Sequence, residues 1–441
     1  MSTEQLLLIL MFVGVFVGIF TGHYIAFVLG GLAVIFGFVG WGTDSWGMFA
    51  NRIYGAMDDY VLVAIPLFLF MAQFLERSGV TDDLFEALRY IMGPIPGGIA
   101  LTVVVVSAIF AACTGIVGAS VVSMGLLAMP VLLKYKYSKE MSCGVVAAGG
   151  SLGILIPPSI MLVVMASQTG VSVGKLYAGA MMPGILLAFG YFCWVLYACI
   201  KDPTKGPPMT KAERQAVPNS KIFFMTMKSL VPPAFLIIGV LGSIFTGWAT
   251  ATEAAAIGAF FAAILVIAYG KFTWKCLYEA SVLTLKATGM VFAILMCASC
   301  FTGVFLGLGG VDIVTDFINS LGLGKWGTYV MMMIVLLILG CLLDWIAILL
   351  ICFPVFLPLA AQFGFDKLWF LVIIAVNLQA SFLTPPFGYA LFYLGGILPK
   401  GVEMIHIYKG VVPFIIIICI VIAIITAFPK IVLWLPSMIV S

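Results

Sequence analysis

Along the chain, apolar runs near the ~20 residues that a membrane-crossing helix needs occur at about 6–21, 24–41, 60–76, 141–168, 176–200, 223–247, 252–270, 279–308, 367–397 and 411–433. Between them lie two pairs of shorter apolar runs, 98–113 with 116–133 and 326–341 with 344–361. Each pair is interrupted in its middle, by Thr114-Gly115 in the first and by Gly340 and Asp344 in the second. This spacing predicts two re-entrant helical hairpins, which enter and leave the membrane by the same face. Less apolar segments at 43–57, 79–92, 310–322 and 401–410 read as amphipathic helices at the interface. The expected architecture is an all-α polytopic membrane protein with about ten transmembrane helices plus the two hairpins.

A shift of 228 residues superposes the two least ordinary regions without a gap. Pro130 falls on Pro358, Tyr135-x-Tyr137-Ser138-Lys139 on Phe363-x-Phe365-Asp366-Lys367, Ala147 on Ala375, and Leu155-Ile156-Pro157-Pro158 on Leu383-Thr384-Pro385-Pro386. Ser78-Gly79-Val80 matches Gly309-Gly310-Val311, and Tyr177-x-Gly179 matches Tyr408-x-Gly410, at a shift of 231. Each repeat therefore reads as a helix, an interfacial arm, a hairpin, a broken helix and a further span.

Only 9% of the 441 residues are charged and 63% are hydrophobic, with mean hydropathy +1.23. A soluble globule carries roughly 25% charged residues to wet its surface, so most of this surface faces lipid. Hydrocarbon offers unpaired backbone groups no water, which restricts the spans to helices. The 47 Gly and 21 Pro fit helices that are broken within the membrane. A net charge of +3, scattered along the chain, argues against nucleic-acid binding.

Charge informs through placement. The longest polar loop, 201–221, carries Lys201, Lys205, Lys211, Arg214 and Lys221, which puts it in the cytoplasm. Following the chain from there leaves sixteen Lys and Arg inside, with Lys228 and Lys286 counted among the loops, and five outside: Arg52, Lys175, Lys325, Lys367 and Lys430. Both termini are then periplasmic, the first hairpin opens from the cytoplasm and the second from the periplasm. The repeats are inverted, which brings discontinuous helices together near the midplane. The opening Met-Ser-Thr-Glu has no basic n-region, so 6–20 reads as a retained helix. Cys297 and Cys300 sit mid-helix among small residues, a pattern of helix packing more than of redox or metal chemistry.

The Pro-Pro pairs break their helices because proline lacks an N–H and drives its predecessor out of the helical region. Freed carbonyls, with the hydroxyls of Thr114, Ser120 and Ser151 in the first repeat and with Asp344, Ser381 and Thr384 in the second, offer the oxygen ligands that a hard cation such as Na+ takes. Asp344 is the one acid deep within an apolar run, where a carboxylate needs a partner. It suits either cation ligation or an N-cap at the second hairpin. Thr250-x-x-Glu253 reads as a capping box. His23 and His406 lie near loop ends, leaving no nucleophile-base pair for an enzyme.

Thr114 to Ser120, Met124 to Pro130, Gly150 to Ser159, Thr252 to Ala256 and Leu383 to Gly388 together resemble the large M subunit, DctM-like, of tripartite ATP-independent periplasmic (TRAP) transporters. The resemblance covers nearly the whole chain. It implies an elevator-type Na+ symporter in the bacterial inner membrane, a small four-helix Q-type membrane subunit, and a periplasmic substrate-binding protein that delivers a carboxylate. Implied ion-site positions are Thr114, Gly115, Gly118, Ser120, Gly150, Ser151, Gly153, Ile154 and Pro157, then Gly340, Asp344, Ser381, Thr384, Pro385 and Gly388. Ala119, Ser120, Pro158, Ser159 and Pro386 are the expected substrate contacts. The first tip, Gly-Ile-Val-Gly-Ala-Ser, has fewer hydroxyls than the family's Ser-rich pattern, which favours backbone carbonyls as ligands there. The expected layout is an N-terminal scaffold at 1–58, a first repeat at 59–200, the loop 201–221, scaffold helices at 222–278 and a second repeat at 279–441. The alternative is a stand-alone symporter of related fold that needs no binding protein.

Overall fold

The computed structural model describes residues 3–115 and 117–439, the side chains of 3, 111–114 and 211 apart. The described residues are helical throughout, without strands. Helices α1 (Thr3–Phe20), α2 (Ile25–Trp41) and α3 (Ser45–Met57) open the chain. The first repeat runs through α4 (Ala64–Arg77), α5 (Val80–Met92), the hairpin α6 (Gly98–Thr114) and α7 (Val117–Lys134), the broken pair α8 (Lys139–Ser151) and α9 (Ile160–Thr169), and α10 (Val173–Lys201). The short α11 (Lys211–Gln215), α12 (Asn219–Phe245) and α13 (Ala251–Ala268) follow. The second repeat has the same order: α14 (Trp274–Gly307), α15 (Gly310–Ser320), the hairpin α16 (Gly324–Leu342) and α17 (Trp345–Gln362), the broken pair α18 (Lys367–Leu383) and α19 (Tyr389–Gly395), and α20 (Met404–Ala427), before a last turn α21 (Lys430–Leu433).

The sequence pattern places these elements well, with two corrections. No separate interfacial helix occupies 401–410: Gly401 turns with φ +86°, and α20 has begun by Met404, so the polar residues read as an arm form that helix's first turns. Lys228 and Lys286 lie inside α12 and α14 and not in loops. Ten described stretches are long and apolar enough to cross a membrane, but α7, α16 and α17 are among them, so length alone does not separate hairpin legs from spans.

Local chemistry explains where the helices begin. At equivalent repeat positions, Ser138 accepts the Met141 N–H at 3.2 Å to cap α8, and Asp366 accepts the Trp369 N–H at 2.8 Å to cap α18. The capping box at α13 forms as the sequence indicates, with Glu253 accepting the Thr250 N–H at 2.8 Å and Thr250 accepting the Glu253 N–H at 3.3 Å. Both arms start from a left-handed glycine, Gly79 with φ +74° and Gly309 with φ +72°, a conformation that costs glycine little.

The repeats clasp each other reciprocally. Lys139, at the start of α8, donates to the Gly401 carbonyl before α20, and its equivalent Lys367, at the start of α18, donates to the Thr169 carbonyl before α10, both at 2.5 Å. Further along the same pairs, a Cβ on Gly144 would come within 2.2 Å of the Gly410 carbonyl, and the equivalent Gly179 lies beneath Val372. Contacts in which i meets j and the counterpart of j meets that of i are the mark of a two-fold relation.

Chain direction follows. The mouth of the first hairpin is tied together where the Ile99 N–H donates to the Tyr137 hydroxyl at 3.1 Å, and the loop after α10 closes beneath it through Gly97 N–H to the Gly206 carbonyl at 2.8 Å. The broken pair α8 and α9 starts at this end and finishes at the other, where Ser167 donates to the Asp59 carboxylate ahead of α4. Lys367 anchors α18 to that far end, so the two broken helices enter the bundle from opposite ends. The second hairpin's mouth is held there by stacked rings, with Phe365 and Trp369 5.5 Å apart and the Trp369 indole N–H donating to the Ile425 carbonyl at 2.9 Å. Elsewhere, α2 meets α14 closely enough that a Cβ on Gly30 would sit 3.0 Å from Cys297 Sγ, which gives that cysteine a packing role.

Candidate functional site

The two hairpin tips meet at a partly enclosed cavity. The first tip contributes Gly115, Val117 and Gly118, and the second contributes Asp344, Trp345 and Ile346. Ile160 supplies the start of α9, Phe382, Tyr389 and Tyr393 come from the second broken helix, and Ala287, Met290 and Val291 come from α14.

Backbone geometry shapes this wall. Gly115 turns the first tip with φ +62°, and a Cβ there would also crowd Ile160 at 3.3 Å. A Cβ on Gly118 would lie 2.8 Å from the Tyr393 ring, so glycine lets the aromatic ring close over the first tip. Three substantial helices begin at the cavity: α7 at Val117, α9 at Ile160 and α17 at Trp345. Each points the positive end of its dipole at the cavity, an arrangement that favours anions. The α17 terminus is already engaged, because the Asp344 carboxylate accepts the Ile346 N–H at 3.2 Å. Asp344 is thus an N-cap and also, among the described residues, the cavity's one carboxylate.

Of the sequence-derived ion-site residues, Gly115, Gly118 and Asp344 line the cavity. The Thr114 side chain lies outside the described residues. The others do not line it and lie in the two breaks and in the helices α7, α8, α16 and α18. Ser120 is buried in α7, with Ala119 half-buried beside it. Ser151 donates to the Ala148 carbonyl at 2.9 Å and Thr384 to the Ala380 carbonyl at 2.7 Å. Ser381 reaches the Asn377 carbonyl at 3.3 Å and the Leu336 carbonyl at 3.4 Å. Each hydroxyl keeps lone pairs for a cation after donating. Gly150 and Gly340 are sites of close helix approach, where a Cβ would fall 2.4 Å from Val121 and Ser381 respectively. Gly153 and Ile154 form a buried 3-10 turn, and the Ile154 carbonyl accepts from Ser159. Pro157-Pro158 and Pro385-Pro386 both carry cis peptide bonds. The Pro386 carbonyl accepts from the Tyr408 hydroxyl at 3.4 Å, and Gly388 opens α19 with φ +42°.

Sequence reasoning missed the aromatic side of the cavity. Its available signal was the i, i+4 pair Tyr389 and Tyr393 immediately after a helix break, which puts two rings on one helical face. Nothing local marks Ala287, Met290 and Val291, which are an ordinary apolar face of a long helix until the hairpins close against them.

The family described as Tripartite ATP-independent periplasmic transporter, DctM component, matches residues 12–431. The chain belongs to this family. As a DctM component it is part of a membrane transporter and not an enzyme. It is 30% identical over 399 residues, 89% of this chain and 90% of the relative, to the C4-dicarboxylate TRAP transporter large permease protein DctM of Pseudomonas aeruginosa. It is 26% identical to the sialic acid TRAP transporter large permease protein SiaM of Vibrio cholerae, covering 90% of this chain and 91% of that one. The isethionate TRAP transporter permease protein DctMQ of Oleidesulfovibrio alaskensis is 28% identical over 91% of this chain, which spans 62% of that longer protein. Among solved structures, the YdaH transporter of Alcanivorax borkumensis shares the fold, with a TM-score of 0.64 at 14% identity over 88% of this chain and 89% of that one.

Proposed function

We propose that this DctM component carries a small organic anion into the cell together with Na+, in the bacterial inner membrane, after a periplasmic binding protein has delivered the anion. The observation that carries this reading is the cavity between the hairpin tips. Helix N-termini on one side suit a carboxylate, and the Asp344 carboxylate, with the tip backbones beside it, suits a hard cation. Relatives named for C4-dicarboxylates, sialic acid and isethionate support an acidic cargo. The relative named DctMQ supports a small four-helix Q-type subunit as a partner.

In this mechanism the hairpins α6–α7 and α16–α17 are re-entrant and move with the two broken helices as one body. Helices α1, α2, α12 and α13 form the stator with the small subunit, and α5 and α15 flex at Gly79 and Gly309. Na+ closes the tips and offsets the charge of the anion, so the loaded body crosses as a near-neutral unit. Sliding of one bundle against a fixed scaffold is the expected form of alternating access for repeats of this kind.

Proteoliposomes holding the chain with its small subunit and binding protein test the reading. Uptake is expected to collapse when choline replaces sodium, and unchanged uptake would overturn it. Uptake without the other two components would favour the stand-alone symporter. Asp344→Asn separates the two roles of that residue, since asparagine caps a helix as well as aspartate does. Unfolding temperature should stay the same while the sodium needed for half-maximal uptake rises at least about tenfold, equivalent to about 1.4 kcal/mol. A wild-type sodium requirement would leave Asp344 a cap alone.

A further inference from the structure

We infer that the cargo is a monocarboxylate with an aromatic or branched-aliphatic body, an assignment that rests on the anion-uptake reading above. Among the described residues Asp344 is the one carboxylate on the cavity wall, and no Lys, Arg or His lines it. Lys286 precedes the lining Ala287 in α14 but stays off the wall. A single carboxylate is well served, because the N-termini of α7 and α9 open onto the cavity while that of α17 is already taken by Asp344. A second carboxylate would find no cationic side chain on the described wall, only the apolar and aromatic groups around it.

A polyhydroxylated acid fits no better. Among the described residues the wall's hydroxyls are those of Tyr389 and Tyr393, too few to partner the several hydroxyls of a sugar acid. An apolar body meets the opposite situation. Phe382 and Tyr389 stand 5.8 Å apart at 76°, and Tyr389 and Tyr393 6.5 Å apart at 41°, forming a ring-lined corner open to edge or offset stacking. Met290 adds a thioether that adapts to an aromatic or branched surface. Tyr389 also borders a neighbouring apolar groove with Phe387 and Phe392, which gives a ring substituent room. By this geometry the chain prefers a different cargo from its relatives named for C4-dicarboxylates and sialic acid.

The chain, copurified with its small membrane subunit in lipid nanodiscs, reads the cavity's preference without the binding protein's own selection. Thermal unfolding is followed while benzoate, 4-methyl-2-oxopentanoate, succinate or N-acetylneuraminate is titrated in sodium or choline chloride. In sodium, the first two should stabilise at concentrations at least about tenfold below the last two. Tyr393→Ala should raise the benzoate requirement about tenfold, whereas Tyr393→Phe, which keeps the ring, should leave it unchanged. Sodium-dependent stabilisation that favours succinate or N-acetylneuraminate would overturn the cargo class and leave sodium-coupled anion binding intact. Loss of a succinate response in Lys286→Met would do the same, by showing that a second carboxylate pairs there. Stabilisation by none of the four in sodium would count against the anion-uptake reading itself.

Discussion

At the first break Pro157, Pro158 and Ser159 are buried, whereas at the second Pro385, Pro386 and Phe387 are exposed. The backbone plan is common to both, down to the equivalent N-caps and the reciprocal lysines, yet the residues between cap and break differ. Gly149-Gly150-Ser151 in α8 stands opposite Asn377-Leu378-Gln379 in α18 at the 228-residue shift. In the first repeat the broken helix carries the glycines and the hairpin the larger groups: a Cβ on Gly149 would meet Ser107 Oγ at 2.7 Å, and one on Gly150 would meet Val121. In the second the roles are exchanged, with Gly340 on the hairpin lying against Ser381 on the broken helix. Side-chain bonding then does part of the joining, as Asn377 donates to the Met333 carbonyl at 2.9 Å. A two-fold plan thus fixes how near the helices come, while either partner can supply the space.

The sharpest test is to give the first repeat the second's residue. In Gly150→Leu the new Cβ would lie 2.8 Å from Val121 Cα and 2.9 Å from its amide nitrogen, backbone atoms that cannot rotate away. Overpacking of this kind should cost about 3 kcal/mol or more, read as a fall in unfolding temperature of the purified protein. Leu378→Ala, at the equivalent buried position, should lose about 2–5 kcal/mol by leaving a cavity. A Gly150→Leu protein as stable as the parent would break the idea that close approach is carried by opposite partners in the two repeats.

Gln379 supplies a second contrast. It is fully buried, and neither amide atom has a hydrogen-bond partner among the described residues, whereas the equivalent Ser151 satisfies itself on its own helix. Asn377 and Ser381 face α16, and Gln379 sits about 200° around the helix from each, on the side that packs against the first repeat. Gln379→Met removes both orphan groups at similar volume and should stabilise the sodium-free protein by about 1–3 kcal/mol, while Ser151→Ala should cost about 1 kcal/mol. Destabilisation by Gln379→Met, measured in the same unfolding assay, would show that the amide is satisfied in the folded protein.

Most of the helices, and both breaks, were legible because their causes are local: an apolar run of the right length, a Pro-Pro pair, a capping Ser, Asp or Thr. The repeat made the second copy of each feature confirm the first. The start of α20 was misread for a physical reason, since the polar first turns of a helix that begins at the bundle's edge have the composition of an interfacial arm, and Glu403, His406 and Lys409 fit both. The cavity was half legible. Gly115, Gly118 and Asp344 stand out as breaks in apolar runs, but Met290 and Val291 become walls only because two hairpins from distant parts of the chain converge on α14. The orphan state of Gln379 was likewise invisible, since it depends on what the opposite repeat fails to offer.

The smallest difference lies at the caps. Ser138 and Asp366 occupy equivalent positions and each accepts one N–H, at 3.2 and 2.8 Å. Ser138→Ala and Asp366→Ala should each cost about 0.5–2 kcal/mol. The aspartate's full charge sits at the positive end of α18, which should add about 0.3–1 kcal/mol that a serine cannot supply. Asp366→Asn keeps the acceptor and removes the charge, so its loss isolates that increment. Because Asp366 is exposed, the increment should shrink as salt is raised toward 1 M, where the screening length falls to about 3 Å. Equal losses for the two alanine variants, with no salt dependence at Asp366, would show that the caps differ in residue type and not in strength.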